Sequence, residues 1–271
     1  MKLAIIYVLY RSYDVLEKML LDQDWKTISN LDIDIFVVDN TTGSEKRIDY
    51  ADHCKLNYGV NVLDPQDNLG YFGAPRWALK KISNPEDYDY VVVSNVDLTY
   101  SIVDMFKSLQ SKNANESKDV GMYAPCLVDD RGQMTRQLHY YSKPSRKKYE
   151  FLSKVYSNYG TALIHRLAAD VKRRIRRESS PNLQPFLFAP HGALMIFTKR
   201  YVQIPGSFDH PAFLFCEEVF AGAKCEAAGL RCELAPDIAY QHDNHGSMGK
   251  IPSRAIVEYL RQAHLAAAQW L

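Results

Sequence analysis

The stretch YDYVVVSNVDLTYS, residues 88–101, decides the fold. Val91, Val92 and Val93 form a continuous apolar run, the pattern of a strand covered on both faces. The run ends in Ser94, Asn95, Val96 and Asp97, and a helix is expected over Ile102–Leu109. In open α/β sheets ligands bind outside the carboxyl ends of the strands, where Asp97 would stand. An acid at that place can hold a hard divalent cation, which takes oxygen ligands and keeps room for water and phosphate oxygens. It can equally cap the next turn or helix. Spacing leaves both readings open.

Working outward, the chain alternates. Leu3–Leu9 is a second continuous apolar run. Tyr13–Leu21 follows with Val15, Leu16, Met19 and Leu20 at helical spacing, and Asp14 with Glu17 can form a capping box. Ile33–Val38 is a strand that ends in Asp39 and Asn40, and Val60–Leu63 is a short one. Gly73–Ile82 is expected to be helical, with Pro75 in its first turn. Strand and helix in this order imply a mostly parallel sheet with helices on both faces.

The second half is less regular. Met122–Val128 reads as a strand and residues 129–132 as a turn. Residues 140–183 are basic and polar and read as helices or an excursion. Phe186–Thr198 returns to β character around Pro190-His191-Gly192. Glu217–Ala228 is helical with Gly229 as its C-cap, Leu234–Tyr240 is a last strand, and Pro252–Trp270 a closing helix. Without repeats or a low-complexity linker, the 271 residues are expected to form one α/β domain with insertions.

Charge is balanced, 33 basic residues against 32 acidic, so no global field argues for nucleic acid. Five cysteines form no CxxC pair and no zinc spacing. Their odd number points to reduced thiols in a cytosol. The opening MKLAIIYVLYRSYD carries an apolar run of about eight residues, too short for a signal-peptide core with its flanks or for a membrane span.

Several residues are candidates for chemistry. Asp39, in FVVDNTTG, suits a base- or ribose-binding carboxylate or an Asx-turn. DNLGYFGAPRWAL, residues 67–79, places Gly70 and Gly73 where backbone can approach an anion at a helix start. It is neither GxGxxG nor a P-loop, which argues against a nicotinamide dinucleotide. Glu217 and Glu218 open a helix after an aromatic run, where acids suit the helix dipole or serve as a general base. His242 and His245 sit in YQHDNHGSMG after the last strand, and His191 in APHGA suggests a pocket wall.

Taken in order, VVDN, NLGYFGAPRWAL, VVVSNVD, PHGALMIF, GSFDHPAFLFCEE and QHDNHGS resemble the family 2 glycosyltransferases of GT-A fold, in particular bacterial rhamnosyltransferase-like members that build polysaccharides. The resemblance covers the chain to about residue 250. It implies a Rossmann-like, mostly parallel sheet flanked by helices, in a single domain with a helical insertion. Residues 1–125 would bind the nucleotide sugar. Residues 126–250 would bind the acceptor and carry a basic helical insertion over about 140–183, before a C-terminal helix over 251–271. The implied activity is inverting transfer from a UDP- or dTDP-linked sugar to a hydroxyl of a glycan acceptor, lipid-linked in one version.

Residue by residue, the resemblance assigns Asp39 to the base. Asn68, Gly70, Gly73, Arg76 and Asn95 go to the donor site, with Tyr71 and Phe72 nearby. Asp97 would bind Mg2+ or Mn2+ as the last acid of the DxD motif, here Asn95-Val96-Asp97, with His242 completing the metal or diphosphate site. His191, Gly192 and Ala193 would border the acceptor and sugar pocket. Glu218, or Glu217 before it, would be the base, and Lys224 the basic residue further along that helix. With Asn95 in the first DxD position, Asp97 is the one motif carboxylate offered to a metal.

The segment HRLAADVKRRIRR, residues 165–177, spaces Leu167, Val171 and Ile175 along one helix face among basic residues. It can lie on the anionic inner face of a plasma membrane or be a solvated charged helix. Two rivals stand beside the transferase reading. A sugar-nucleotide nucleotidyltransferase would carry a Gly-rich loop after its first strand, where this chain reads VLYRSYD. The other is a non-catalytic glycan- or nucleotide-binding protein on the same fold.

Overall fold

The computed structural model describes residues 1–114, 119–135, 137–175, 183–242 and 252–271. The chain runs from β1 (Leu3–Leu9) through α1 (Tyr13–Leu21) and α2 (Trp25–Ile28) to β2 (Ile33–Asp39), then α3 (Tyr50–Tyr58), β3 (Asn61–Leu63), α4 (Gly70–Lys81) and β4 (Tyr90–Asn95). Here β3, β2, β1 and β4 lie side by side and parallel. Register sets the rim: Leu9 pairs with Asp39 and Val8 with Asn95, so the ends of β2 and β4 emerge together.

The continuous apolar runs are explained by burial on two sides. Leu3, Ile5 and Tyr7 pack with Leu16, Leu20, Ile102 and Phe106 on one face. Ala4 and Ile6 pack with Phe72, Ala78, Phe220 and Cys225 on the other. Strands with alternate residues in two cores must be apolar throughout.

After β4 come β5 (Leu98–Thr99), α5 (Ile102–Ala114) and β6 (Val120–Leu127), then the helical excursion α6 (Arg146–Val155) and α7 (Tyr159–Ile175). The chain returns through β7 (Phe186–Leu187), β8 (Leu194–Thr198), α8 (Lys199–Val202), α9 (Glu217–Ala227), β9 (Arg231–His242) and α10 (Arg254–Trp270). The strand order is β3-β2-β1-β4-β8-β6-β9-β5, with β7 also on β9. Strand β8 runs antiparallel to both β4 and β6 and joins the two halves into one sheet. Tyr149 of α6, Val219 of α9 and Ala263 and Ala267 of α10 form a smaller core outside the sheet. The five cysteines are buried and form no disulfide. Among the described residues no helix is long and apolar enough to cross a membrane.

Two local expectations are corrected. The Asp14–Glu17 capping box is not made: Ser12 is the N-cap and gives no side-chain cap bond. Glu17 instead accepts from the Tyr58 hydroxyl at 2.6 Å and lies 2.9 Å from His53 Nε2. Helix α4 begins at Gly70 rather than Gly73, which places Pro75 past the first turn. Proline there removes one helical hydrogen bond. The left-handed Gly70, at φ +72°, turns the chain into the helix early.

Candidate functional site

The first group of rim residues is a hydrogen-bonded knot. Asp39 is buried at the end of β2. Its Oδ2 accepts from the Tyr13 hydroxyl at 2.8 Å and its Oδ1 from the Thr41 backbone N–H at 2.9 Å, an Asx-turn. The next residue, Asn40, donates its amide to the Gly70 carbonyl at 3.0 Å, and Asn68 Oδ1 accepts from the Gly70 N–H at 3.0 Å. Gly70 has to be glycine: a Cβ would stand 2.0 Å from the Phe213 carbonyl oxygen. Gly73 faces Leu69 in the first turns of α4, where a Cβ would come within 3.0 Å of the leucine Cβ.

The second group is at the end of β4. Asn95 donates its N–H to the Ala193 carbonyl at 2.9 Å, and the Tyr71 hydroxyl donates to the same oxygen at 3.4 Å. Strand β5 pairs Leu98 with His242. This register brings His242 Nε2 to 3.4 Å from Asp97 Oδ2. Asp97 Oδ1 is buried without a hydrogen-bond partner. An unsatisfied carboxylate oxygen beside an imidazole nitrogen suits a divalent ion. Among the described residues no third His, Cys, Asp or Glu joins them.

The third group joins α9 to the β7–β8 connection. Gly192 lies against Glu218, whose Oε2 would be 3.1 Å from a Cβ placed on the glycine. Neighbouring His191 lies tilted beside His242, ring centroids 5.8 Å apart, and stacks on Tyr240, with its Nδ1 3.0 Å from the Tyr240 hydroxyl. Burial lowers the His191 pKa to about 4, with His242 and His139 adding to the effect, so it is a neutral ring at pH 7. The His191 N–H donates to His139 Nδ1 at 2.9 Å, which leaves Nε2 of His139 to carry the proton.

The two glutamates separate by geometry. Glu217 is 6% exposed and turns back to accept the Phe215 N–H at 2.9 Å. It clasps a strained turn, since Phe215 and Cys216 are non-glycine residues at φ +75° and +64°. Glu218 is half-buried and faces Gly192. Burial, then the Glu218 charge, raises the Glu217 carboxyl to about 8. Burial also raises Glu218, and a hydrogen bond from Tyr140 holds part of that rise back. Burial raises Tyr71 strongly, and the charges of Glu217, Asp97 and Glu218 all reach it. Asp97, Glu217 and Glu218 thus lie around Tyr71, whereas Asp39 stands in the separate knot with Tyr13 and Thr41.

Other expected residues lie elsewhere. Arg76 is turned outward by its helix position, 3.6 Å from Asp209. It lines a surface cavity of about 380 Å³ with Tyr88 and Lys199, below β4 and away from the rim. Lys224 donates to the Pro205 carbonyl and lies over the Phe220 and Trp270 rings. His245 falls outside the described residues. Tyr140, His139 and Tyr240 were not anticipated. Their roles arise from contacts across 49 or more residues for the two histidine pairs, and no local pattern marks them.

No protein-family model matches the chain, and no curated protein matches it. Solved structures do. GalNAc-T7 with UDP, GalNAc and Mn2+ superposes with a TM-score of 0.57 at 11% identity, over 89% of this chain and 43% of that one. The mannosyltransferase PcManGT from Pyrobaculum calidifontis, with GDP-Man and Mn2+, gives 0.54 at 15% identity, over 99% of this chain and 73% of that one. S. aureus TarS 1-349 with UDP-GlcNAc gives 0.51 at 15% identity, over 98% and 66%. This chain thus spans less than half of GalNAc-T7. At these identities the likeness is one of fold. The chain has the mixed α/β architecture of GT-A glycosyltransferase structures, a curled and mostly parallel sheet flanked by helices.

Proposed function

We propose that this protein transfers a sugar from a nucleoside-diphosphate sugar to a hydroxyl of a glycan acceptor, with inversion at the anomeric carbon. The observation that carries the reading is a run of contacts beyond the strand ends: Asp97 Oδ2 is 3.4 Å from His242 Nε2, the His242 ring is 5.8 Å from that of His191, and neighbouring Gly192 lies against Glu218. Solved structures of the same fold hold UDP, GDP-Man or UDP-GlcNAc, which supports a nucleotide-sugar donor.

In this reading residues 1–125 hold the donor and residues 126–250 the acceptor. Asp39, Asn68, Gly70, Gly73 and Asn95 border the nucleotide and diphosphate, and Gly192 and Ala193 leave space for the sugar beside Glu218. Asp97 and His242 would hold Mg2+ or Mn2+, which supplies Lewis-acid neutralisation of the diphosphate charge. Glu218 takes the proton of the acceptor hydroxyl. The acceptor hydroxyl oxygen forms the new bond to the anomeric carbon as the bond to the diphosphate oxygen breaks on the opposite face, and the nucleoside diphosphate departs with that electron pair. Glu217 holds the turn from which Glu218 projects. Donors linked to UDP or dTDP and a lipid-linked acceptor, at the inner face of a bacterial plasma membrane, complete the proposal as a step in surface polysaccharide synthesis.

The test is release of nucleoside diphosphate from a panel of nucleotide sugars with glycan acceptors. Loss of a general base typically costs ~10²–10⁴-fold, so Glu218→Gln should fall by at least ~100-fold while keeping its fold. A wild-type protein that binds nucleotide sugars and releases none is a binding protein instead.

A further inference from the structure

Helices α6 and α7 divide the molecule electrostatically. Residues 146–175 carry eight Lys or Arg and two acids, a net +6. The chain has 33 basic and 32 acidic residues, so the remainder holds 25 against 30, a net −5. The near-zero total hides a polarised molecule.

The same helices expose apolar side chains. In α7, Ala162 is fully buried, whereas Ile164, Leu167 and Val171 are 69%, 66% and 55% exposed. Helical periodicity puts these three on one stripe opposite Ala162. Phe151 of α6 is also exposed. Lys147 and Lys154 of α6 are exposed, and Lys172, Arg173 and Arg174 follow in the last turn of α7. An apolar stripe within a strongly cationic element is the composition of a helix that lies in the headgroup region of an anionic bilayer. A second copy of the chain would have to bring helices of the same net +6 charge against these, which disfavours a dimer here.

The element is also wired to the cleft. Tyr149 of α6 donates its hydroxyl to that of Tyr140 at 3.3 Å, and Tyr140 hydrogen-bonds Glu218. The buried side of α6 is thus connected through Tyr149 and Tyr140 to Glu218.

We infer that α6 and α7 dock this protein on an anionic lipid surface through Ile164, Leu167 and Val171, and that the acceptor reaches Glu218 from that surface. The second half rests on the transferase reading, and the first does not. Flotation with vesicles of phosphatidylcholine and phosphatidylglycerol tests the docking, with phosphatidylcholine alone as the control. Wild type should float with the anionic vesicles only, and less at high salt. The combined variant Ile164→Ser, Leu167→Ser, Val171→Ser should bind at least ~10-fold more weakly, a difference of about 1.4 kcal/mol, while melting like wild type. Lys147→Glu with Lys154→Glu should weaken flotation as well and gives a second readout if the first variant misfolds. Wild type that stays with neutral and anionic vesicles alike, or a serine variant that floats unchanged, overturns the docking. So does a dimer in sedimentation that the serine variant abolishes.

For the acceptor, the ratio of transfer to a lipid-borne glycan over the same glycan in solution should fall at least ~10-fold in the serine variant. An unchanged ratio refutes the acceptor half. Flotation without transfer to either form refutes the transferase reading and leaves docking intact.

Discussion

Replacing Gly70 with alanine probes how the donor rim is tied to the segment that leads to Glu218. Gly70 has φ +72°, and an added Cβ would meet the Phe213 carbonyl oxygen at 2.0 Å. Left-handed backbone costs an alanine roughly 1–2 kcal/mol. A backbone oxygen cannot escape by changing rotamer, so residues around 213 must move, and overpacking of this kind costs about 1–3 kcal/mol. The sum is about 2–5 kcal/mol. Gly59→Ala is the control, because Gly59 has φ +68° and nothing within 4 Å of an added Cβ. It should show the first cost alone. Urea unfolding followed by tryptophan fluorescence separates the two. With a slope of about 3 kcal/mol per molar, the Gly70→Ala midpoint should lie roughly 0.3–1 M below that of Gly59→Ala. The Tyr71 N–H donates to the same Phe213 carbonyl at 3.4 Å, and its hydroxyl reaches Ala193, so nucleotide binding should weaken too. Equal midpoints for the two variants would refute the close approach and the coupling argued from it.

Three further outcomes are expected. Asp97→Ala should abolish the part of the UDP-induced thermal stabilisation that depends on Mn2+, because a ligand stabilises only the form that binds it; an undiminished Mn2+-dependent shift counts against the metal assignment. Glu217 binds its proton more tightly in the native state than in the unfolded chain, so its contribution is complete below the ordinary value of 4.5 and is lost as pH rises towards about 8. Wild type should thus lose more stability than Glu217→Gln as pH rises through that range, and equal losses in chemical denaturation would contradict this. Tyr13→Phe removes the donor to Asp39 Oδ2 and should cost about 1–3 kcal/mol in urea unfolding; a neutral result would mean that the carboxylate finds another partner.

The sheet was legible where burial on both faces demands apolar residues, at Leu3–Leu9, Ile33–Val38 and Tyr90–Ser94. Helix α3 escaped notice because only Tyr50 and Cys54 of its nine residues are buried. Strand β5 is two residues long and exists by pairing with β9, a partner some 140 positions away that no window along the chain can see. For the same reason Asp97 stood out as an acid at a strand end and His242 as a histidine after the last strand, while their 3.4 Å approach left no trace in either segment. The direction of Arg76 was not legible because a helix position fixes a direction that composition does not: the side chain faces Asp209. The choice between Glu217 and Glu218 needed coordinates, since adjacent helical residues point about 100° apart and only one of them can face Gly192.

Strand β8 is bonded to β4 along one edge and to β6 along the other. No hinge therefore runs between the parts that carry Asn95 and Gly192. The spacing between Asn95 and the chain that enters β8 is thus fixed by the sheet rather than by lobes that swing shut. In the proposed transfer, exchange of substrate for product would fall to the segments beyond the strand ends, and a mutation that tunes how fast products escape should map to those segments and spare the sheet.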